Sequence, residues 1–151
     1  MRNATMLILM ATLLFSVFAA RAGGLMLTRS HHSVSQTLDR LEAALRVKGL
    51  KIFARIDHGA GAGAAGVSLR PTQLLIFGNP KLGSQLFTSN QTAGIDLPMK
   101  ALAWEDAEGQ VWVAYNDPQY IADRHRIHDR AAVIEKMSGA LKKLVGQATQ
   151  R

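Results

Sequence analysis

The stretch Thr72-Gln-Leu-Leu-Ile-Phe77 constrains the chain more than any other. Pro71 enforces extended backbone at its start, and Gly78-Asn79-Pro80 ends it. A nearly continuous apolar run of this length, bounded by such breakers, reads as a strand covered on both faces. The chain must build a sheet, and its other segments must supply the covering layers.

Those segments are legible in order. Leu25 to Arg29 is short and β-compatible. Ser33-Val-Ser-Gln36 is a capping box opening a helix, in which Val34, Leu38, Leu41 and Leu45 fall on one face. Lys48-Gly49 closes that helix. Lys51 to Asp57 alternates as a strand, with Ile52, Ala54 and Ile56 on one face and Lys51, Phe53, Arg55 and Asp57 on the other. Asn79 and Pro80 suit a helix N-cap and first helical residue. Gly94-Ile-Asp-Leu-Pro98 marks a boundary. Ala101–Glu105 and Val111–Tyr115, joined by Asp106-Ala-Glu-Gly109, read as a β-hairpin. Asn116-Asp117-Pro118 starts a short helix, and Ala131–Val145 forms a last one with Ile134, Met137, Leu141 and Val145 on one face. The order β-α-β-(short α)-β-α-β-β-α-α indicates an α+β fold. It predicts one two-layer domain, a mixed β-sheet of about five strands with helices packed on it.

Residues 1–22 read as a secretory signal peptide preceding a domain at 23–151. Arg2 gives a positive start, Met6 to Ala20 is an uncharged apolar run of 15 residues, and Ala20-Arg21-Ala22 has the small-residue cleavage pattern. A spanning helix needs about 20 apolar residues, so no stable membrane anchor is expected after cleavage. The expected compartment is the periplasm or the outside of a bacterial cell. The chain has no cysteine, which excludes disulfides, thiolate catalysis and Cys-based metal sites. Lys plus Arg exceed Asp plus Glu by 18 to 11, but the cations are scattered and not interleaved with aromatics. No nucleic-acid partner is expected.

Gly61-Ala-Gly63-Ala-Ala-Gly66 follows the second strand and spells G-x-G-x-x-G, the form of a dinucleotide fingerprint. The surrounding sequence does not meet that motif's demands. Pro71 leaves no room for a long helix after Gly66, and no Asp or Glu lies between His58 and Ile95 to bind a ribose. No cofactor is expected. The glycines fit a short helix capped by Asp57, lean enough to lie close against the sheet and ended by a left-handed Gly66.

Ala54-Arg-Ile-Asp57-His58, then Gly66 with Leu69-Arg-Pro-Thr72, then Leu75-Ile-Phe-Gly-Asn-Pro80 and Asp96-Leu-Pro98 together resemble the uncharacterised domain-of-unknown-function family 302. The resemblance runs from about Ser33 to Tyr115. It implies a compact α+β domain, often exported in bacteria and able to form homodimers. It implies no activity.

No G-x-S-x-G supports serine hydrolysis. His125-x-x-His128, with Asp123 or Asp129, has metal-ligand spacing, but the bland reading, a solvated basic segment, is preferred and no metal is expected. His58, beside Asp57 at a strand end, has the chemistry of an acid–base group. If the strands ending at Asp57 and Phe77 are parallel neighbours, Asp57, His58, Arg70 and Asn79 converge on one small, anionic ligand. The resulting expectation is a homodimeric small-ligand-binding or interaction module. The alternative is an enzyme using His58 as general acid or base, and whether the chain is an enzyme stays open. Trp104 and Trp112 are expected in the core or at a two-fold interface.

Overall fold

The structure is a computed structural model and describes residues 23–151; residues 1–22, expected from the sequence to be a signal peptide, lie outside the described residues. The elements follow the sequence order: β1 (Leu25–Ser30), α1 (Val34–Val47), β2 (Lys51–Asp57), α2 (His58–Ala64), β3 (Thr72–Gly78), α3 (Pro80–Ser89), a 3-10 turn (Gln91–Ile95), β4 (Met99–Glu105), β5 (Val111–Asn116), α4 (Pro118–Arg124) and α5 (Ala131–Thr149). The capping box of α1 forms as its residues require: Ser33 accepts from Gln36 N, and the Gln36 side chain returns to Ser33 N. Asp57, Asn79, Asn90 and Asp117 cap the following helical segments through their side-chain oxygens.

The strands form one sheet in the order β1-β5-β4-β3-β2. The α+β class and the five strands are as the sequence indicates, and the sheet is simpler than a mixed one: all four pairings are antiparallel. This corrects the parallel pairing of β2 with β3. Asp57 lies opposite Gln73, and Lys51 opposite Gly78. The connection between them, α2 included, returns the chain beside itself and is not a crossover. The physical reason lies in α2. A crossover helix must bury an apolar stripe on the sheet, and His-Gly-Ala-Gly-Ala-Gly-Ala has no large apolar side chain to bury. None of its residues is buried, and a Cβ on Gly61 or Gly63 would meet nothing within 4 Å. The helix lies close to the sheet at its start, where a Cβ on Gly59 would stand 3.7 Å from Thr72 N, and leaves it at Gly61 and Gly63. Gly66 does end the segment in the left-handed region, at φ 76°.

The core lies on one face of the sheet. Helices α1 and α5 cover it with Val34, Leu38, Leu41 and Leu45 from one and Ile134, Met137, Leu141 and Val145 from the other, all buried. They meet Leu75, Phe77, Met99, Ala101, Ala103, Val111, Val113 and Tyr115 of the sheet. Each fully buried large side chain contributes about 2 kcal/mol of transfer free energy. The register shifts between Ile52 and Ala54, which inserts Phe53 as an extra residue in β2. The simple alternation read from the sequence fails there. Beyond the bulge Arg55 and Asp57 share the helix side with Ile52, while Ala54 and Ile56 turn to the other face.

Candidate functional site

Among the described residues no helix layer covers the face of the sheet away from α1 and α5. The ladder register assigns it Leu25, Leu27 and Arg29 from β1, Trp112 and Ala114 from β5, Lys100, Leu102 and Trp104 from β4, Thr72, Leu74 and Ile76 from β3, and Ala54 and Ile56 from β2. An antiparallel sheet open to water normally carries polar residues on its outer side. Here the outer side is aliphatic and aromatic at its centre. Trp104 and Trp112 are direct cross-strand partners, as are Leu74 and Leu102. Leu25 and Ile56 are each 40% exposed and Phe53 45%. The run Leu74-Leu75-Ile76-Phe77 thus has the two-sided apolar character read from the sequence, and the described residues bury the side of Leu75 and Phe77 while leaving Leu74 and Ile76 half-buried.

One hairpin fixes the aromatic pair. In the β4–β5 loop, Asp106 accepts from the indole Nε1 of Trp112 at 2.7 Å, from Gln110 N at 2.8 Å and from Glu108 N at 3.0 Å, and Gly109 adopts φ 76°. The Trp112 hydrogen bond is the main reason the Asp106 carboxyl is held below its ordinary value. Desolvation opposes the shift, and the two backbone donors and the charge of Arg70 assist it. A carboxyl lowered in the folded state contributes stability that is complete above its unfolded value and is lost as pH falls through the folded one. The loop is therefore expected to hold down to the ordinary aspartate value of 3.8 and to release Trp112 only below it. The indole N–H resonance followed by NMR against pH reports this directly; a transition at or above 3.8 would contradict the assignment.

The four residues expected to share a ligand site do not come together. Antiparallel pairing puts Asp57 and His58 at one end of the β2–β3 ladder and Asn79 at the other, separated by about 20 Å along a seven-residue strand. Asp57 is engaged locally: Oδ1 accepts from Ala60 N at 2.8 Å and Oδ2 from Gln73 Nε2 at 3.0 Å. Asn79 caps α3 through Lys81 N. The His58 side chain is exposed and, among the described residues, makes no hydrogen bond or ion pair. Arg70 remains near the Asp57 end, where its carbonyl would lie 3.6 Å from a Cβ on Gly59. The absence of a βαβ crossover also removes the setting a dinucleotide fingerprint needs.

A polar cluster that sequence reasoning missed joins the 3-10 turn to α4. His125, 6% exposed, bonds Asp96 Oδ2 through Nε2 at 2.6 Å and Thr92 Oγ1 through Nδ1 at 2.8 Å. Arg124 reaches the other Asp96 oxygen at 3.2 Å. Thr92, His125 and Asp96 are the residue types of a nucleophilic triad, but the wiring differs. Asn90 Nδ2 donates to His125 O, which orients the amide so that its Oδ1 accepts from Thr92 Oγ1 at 2.9 Å. The Thr92 hydroxyl is thus shared between the Asn90 amide oxygen and the imidazole, and is not held by the imidazole alone as in a triad. The cluster is a clamp between two segments. It also uses up His125, so the His125-x-x-His128 spacing does not form a metal site. Among the described residues no group of three or more His, Cys, Asp or Glu is placed to hold a metal ion. The sequence held one signal for the clamp, Asp96 in an Asp-Leu-Pro boundary, but not its distant partner.

One antiparallel sheet with helices on one side and an apolar face on the other defines a small α+β domain. Comparison with known proteins assigns it to a family. The chain belongs to the family described as "Domain of unknown function DUF302", whose model matches residues 26–144. A crystal structure of an uncharacterised conserved DUF302 protein from Bacillus stearothermophilus superposes with a TM-score of 0.76 at 16% identity, covering 84% of this chain and 99% of that one. That likeness establishes the fold. Proteins of Brucella suis biovar 1 (strain 1330) and Brucella abortus biovar 1 (strain 9-941), both named "Fluoride-specific ion channel FluC 1", are 49% identical over 104 residues, 69% of this chain. The chain spans 41% and 38% of their lengths. With 22 residues undescribed, at least 82 of the 104 aligned residues are described ones (104 less 22). Among the described residues no helix is long and apolar enough to cross a membrane.

Proposed function

We propose that this chain is an exported interaction module whose open sheet face packs against the same face of a second copy. The observation that carries the reading is the uncovered aliphatic and aromatic surface centred on Leu74, Leu102, Trp104 and Trp112. A two-fold interface uses one patch twice and so needs a self-complementary surface. Two flat, twisted sheets with branched and aromatic side chains provide one, packing about 10 Å apart with their side chains interdigitated. The apolar run at Met6–Ala20 and the Ala20-Arg21-Ala22 pattern support export. The Brucella relatives carry a homologous region within a longer protein named for fluoride conduction. That arrangement supports an associating module. It transfers no conduction to this chain, because conduction needs a closed membrane-spanning structure. His58, whose side chain is exposed and among the described residues makes no hydrogen bond or ion pair, does not favour the enzyme reading.

Light scattering of residues 23–151 at tens of micromolar is expected to give twice the mass of one chain. Leu27→Glu combined with Ile76→Glu puts two carboxylates on the face and is expected to give a monomer with an unchanged circular dichroism spectrum. A wild-type monomer at that concentration would remove the reading.

A further inference from the structure

Towards the end of β4 the open face deepens into a groove of about 730 Å³, the size of a small-ligand pocket. Ser68, Leu69 and Arg70, in the segment entering β3, form its wall; Thr72, Leu102 and Trp104 form its floor. Glu105 touches its end. Glu105 lies opposite Val111, a core residue, so its side chain leaves on the helix side.

The groove is lined by one cation, Arg70, and one anion, Glu105 at its end. The strand residues assigned to the open face include the cations Arg29 and Lys100 and no Asp or Glu. Lys100 is tied to the carbonyls of Asp96 and Pro98, and Arg29 to Gln110. Arg70 is different. Arg40, Arg46, Arg55, Arg124 and Arg130 donate to protein acceptors. Among the described residues the Arg70 and Arg126 side chains make no hydrogen bond or ion pair, and of these two Arg70 lines the groove. The nearby acid it influences is Asp106, whose oxygens already accept three N–H donors. An uncommitted guanidinium presents a planar fork matched to a carboxylate or phosphate. Beside it lie Trp104 and Leu102, both only partly buried, and Leu69, 49% exposed.

We infer that the groove binds an amphipathic anion: a single alkyl chain lying along Leu69, Leu102 and Trp104, with its carboxylate or phosphate head held by Arg70. This assignment does not rest on the dimer reading, because each copy contains the whole groove, although both use Leu102 and Trp104. It also replaces the convergence of Asp57, His58 and Asn79 with residues the fold brings together. An interfacial membrane contact would need its tryptophans at a protruding tip; Trp104 is the floor of a concavity.

The test is a titration of residues 23–151 with dodecanoate below its micellar concentration, read by tryptophan fluorescence and calorimetry. One saturable site per chain is expected. Dodecyl phosphate should compete, while dodecanol and dodecyltrimethylammonium should bind at least tenfold more weakly. Arg70→Gln should weaken dodecanoate on the order of tenfold or more, the loss of one charge-assisted contact, and Arg70→Lys should recover part of it. Arg70 is exposed, so neither change threatens folding. No saturable binding, equal binding of the cationic amphiphile, or indifference to Arg70→Gln would each overturn the inference. Light scattering on the same samples separates the two readings. A monomer that binds keeps this site and removes the dimer; a dimer that fails to bind does the reverse.

Discussion

Asp96→Ala is expected to lower the unfolding free energy by about 3 kcal/mol, among the largest single-residue effects in the domain. Asp96 and His125 are 10% and 6% exposed at the side chain, and their atoms meet at 2.6 Å. Removing the carboxylate leaves the imidazole facing a dry gap, with Thr92 and the Asn90 amide holding it there. Arg124 loses this acceptor as well. Such a cost exceeds the net value of the pair, since most of it is the desolvation of a group left unmatched. Asp96→Asn keeps the shape and one acceptor oxygen and should cost less. Urea unfolding of both variants and of His125→Ala, closed as a double-mutant cycle, isolates the pairwise coupling. A loss below about 1 kcal/mol for Asp96→Ala would mean that water replaces the carboxylate and that the clamp is not dry.

The two ends of this clamp show what the sequence could and could not convey. Each end lies in a recognisable local signal: Asn90 is a cap, Asp96-Leu-Pro98 a boundary, His125 the close of a short helix. Local chemistry writes caps and breakers into adjacent residues, which is why the element order and the apolar faces of α1 and α5 were readable. Pairing between residues 29 positions apart leaves no such mark. The direction of β2 against β3 failed for a related reason. A connection of 14 residues from His58 to Pro71 is long enough for a parallel crossover, and length alone cannot decide. The deciding feature was composition: a helix of glycine and alanine has no stripe to lay on a sheet, so it remains at the strand ends. Phe53 hid a second reversal, because a bulge inverts the alternation after it without altering the pattern before it. With those two corrections the proposed ligand site moves from His58 and Asn79 to Arg70 and Trp104. The two-sided apolar run at Thr72–Phe77 did carry its message, because the side of Leu74 and Ile76 has the composition of a buried face.

Adjacent residues of β3 turn that message into a measurement. Phe77 is 1% exposed on the helix side, opposite Met99, and Phe77→Ala is expected to cost about 4 kcal/mol through lost transfer energy and the cavity left behind. This cost is intrinsic to one chain and should not depend on protein concentration. Ile76 points the other way, opposite Lys100 and Ala54. In an isolated chain it is partly hydrated, and Ile76→Ala should cost about 1 kcal/mol, less than the usual core value because little burial is lost. In a face-to-face dimer the same side chain is enclosed, and its loss should approach the core range of about 2–5 kcal/mol. Coupling between folding and assembly then makes the wild-type midpoint rise with concentration, and that rise should shrink in the variant. Thermal unfolding of wild type, Phe77→Ala and Ile76→Ala across a hundredfold range of concentration therefore reads the two faces separately. A concentration-independent wild-type midpoint, with Ile76→Ala nearly silent, would show that the outer face stays open to water. A shared dependence in wild type and Phe77→Ala, weakened only in Ile76→Ala, would show that the apolar run is buried twice, once by this chain and once by another copy of it.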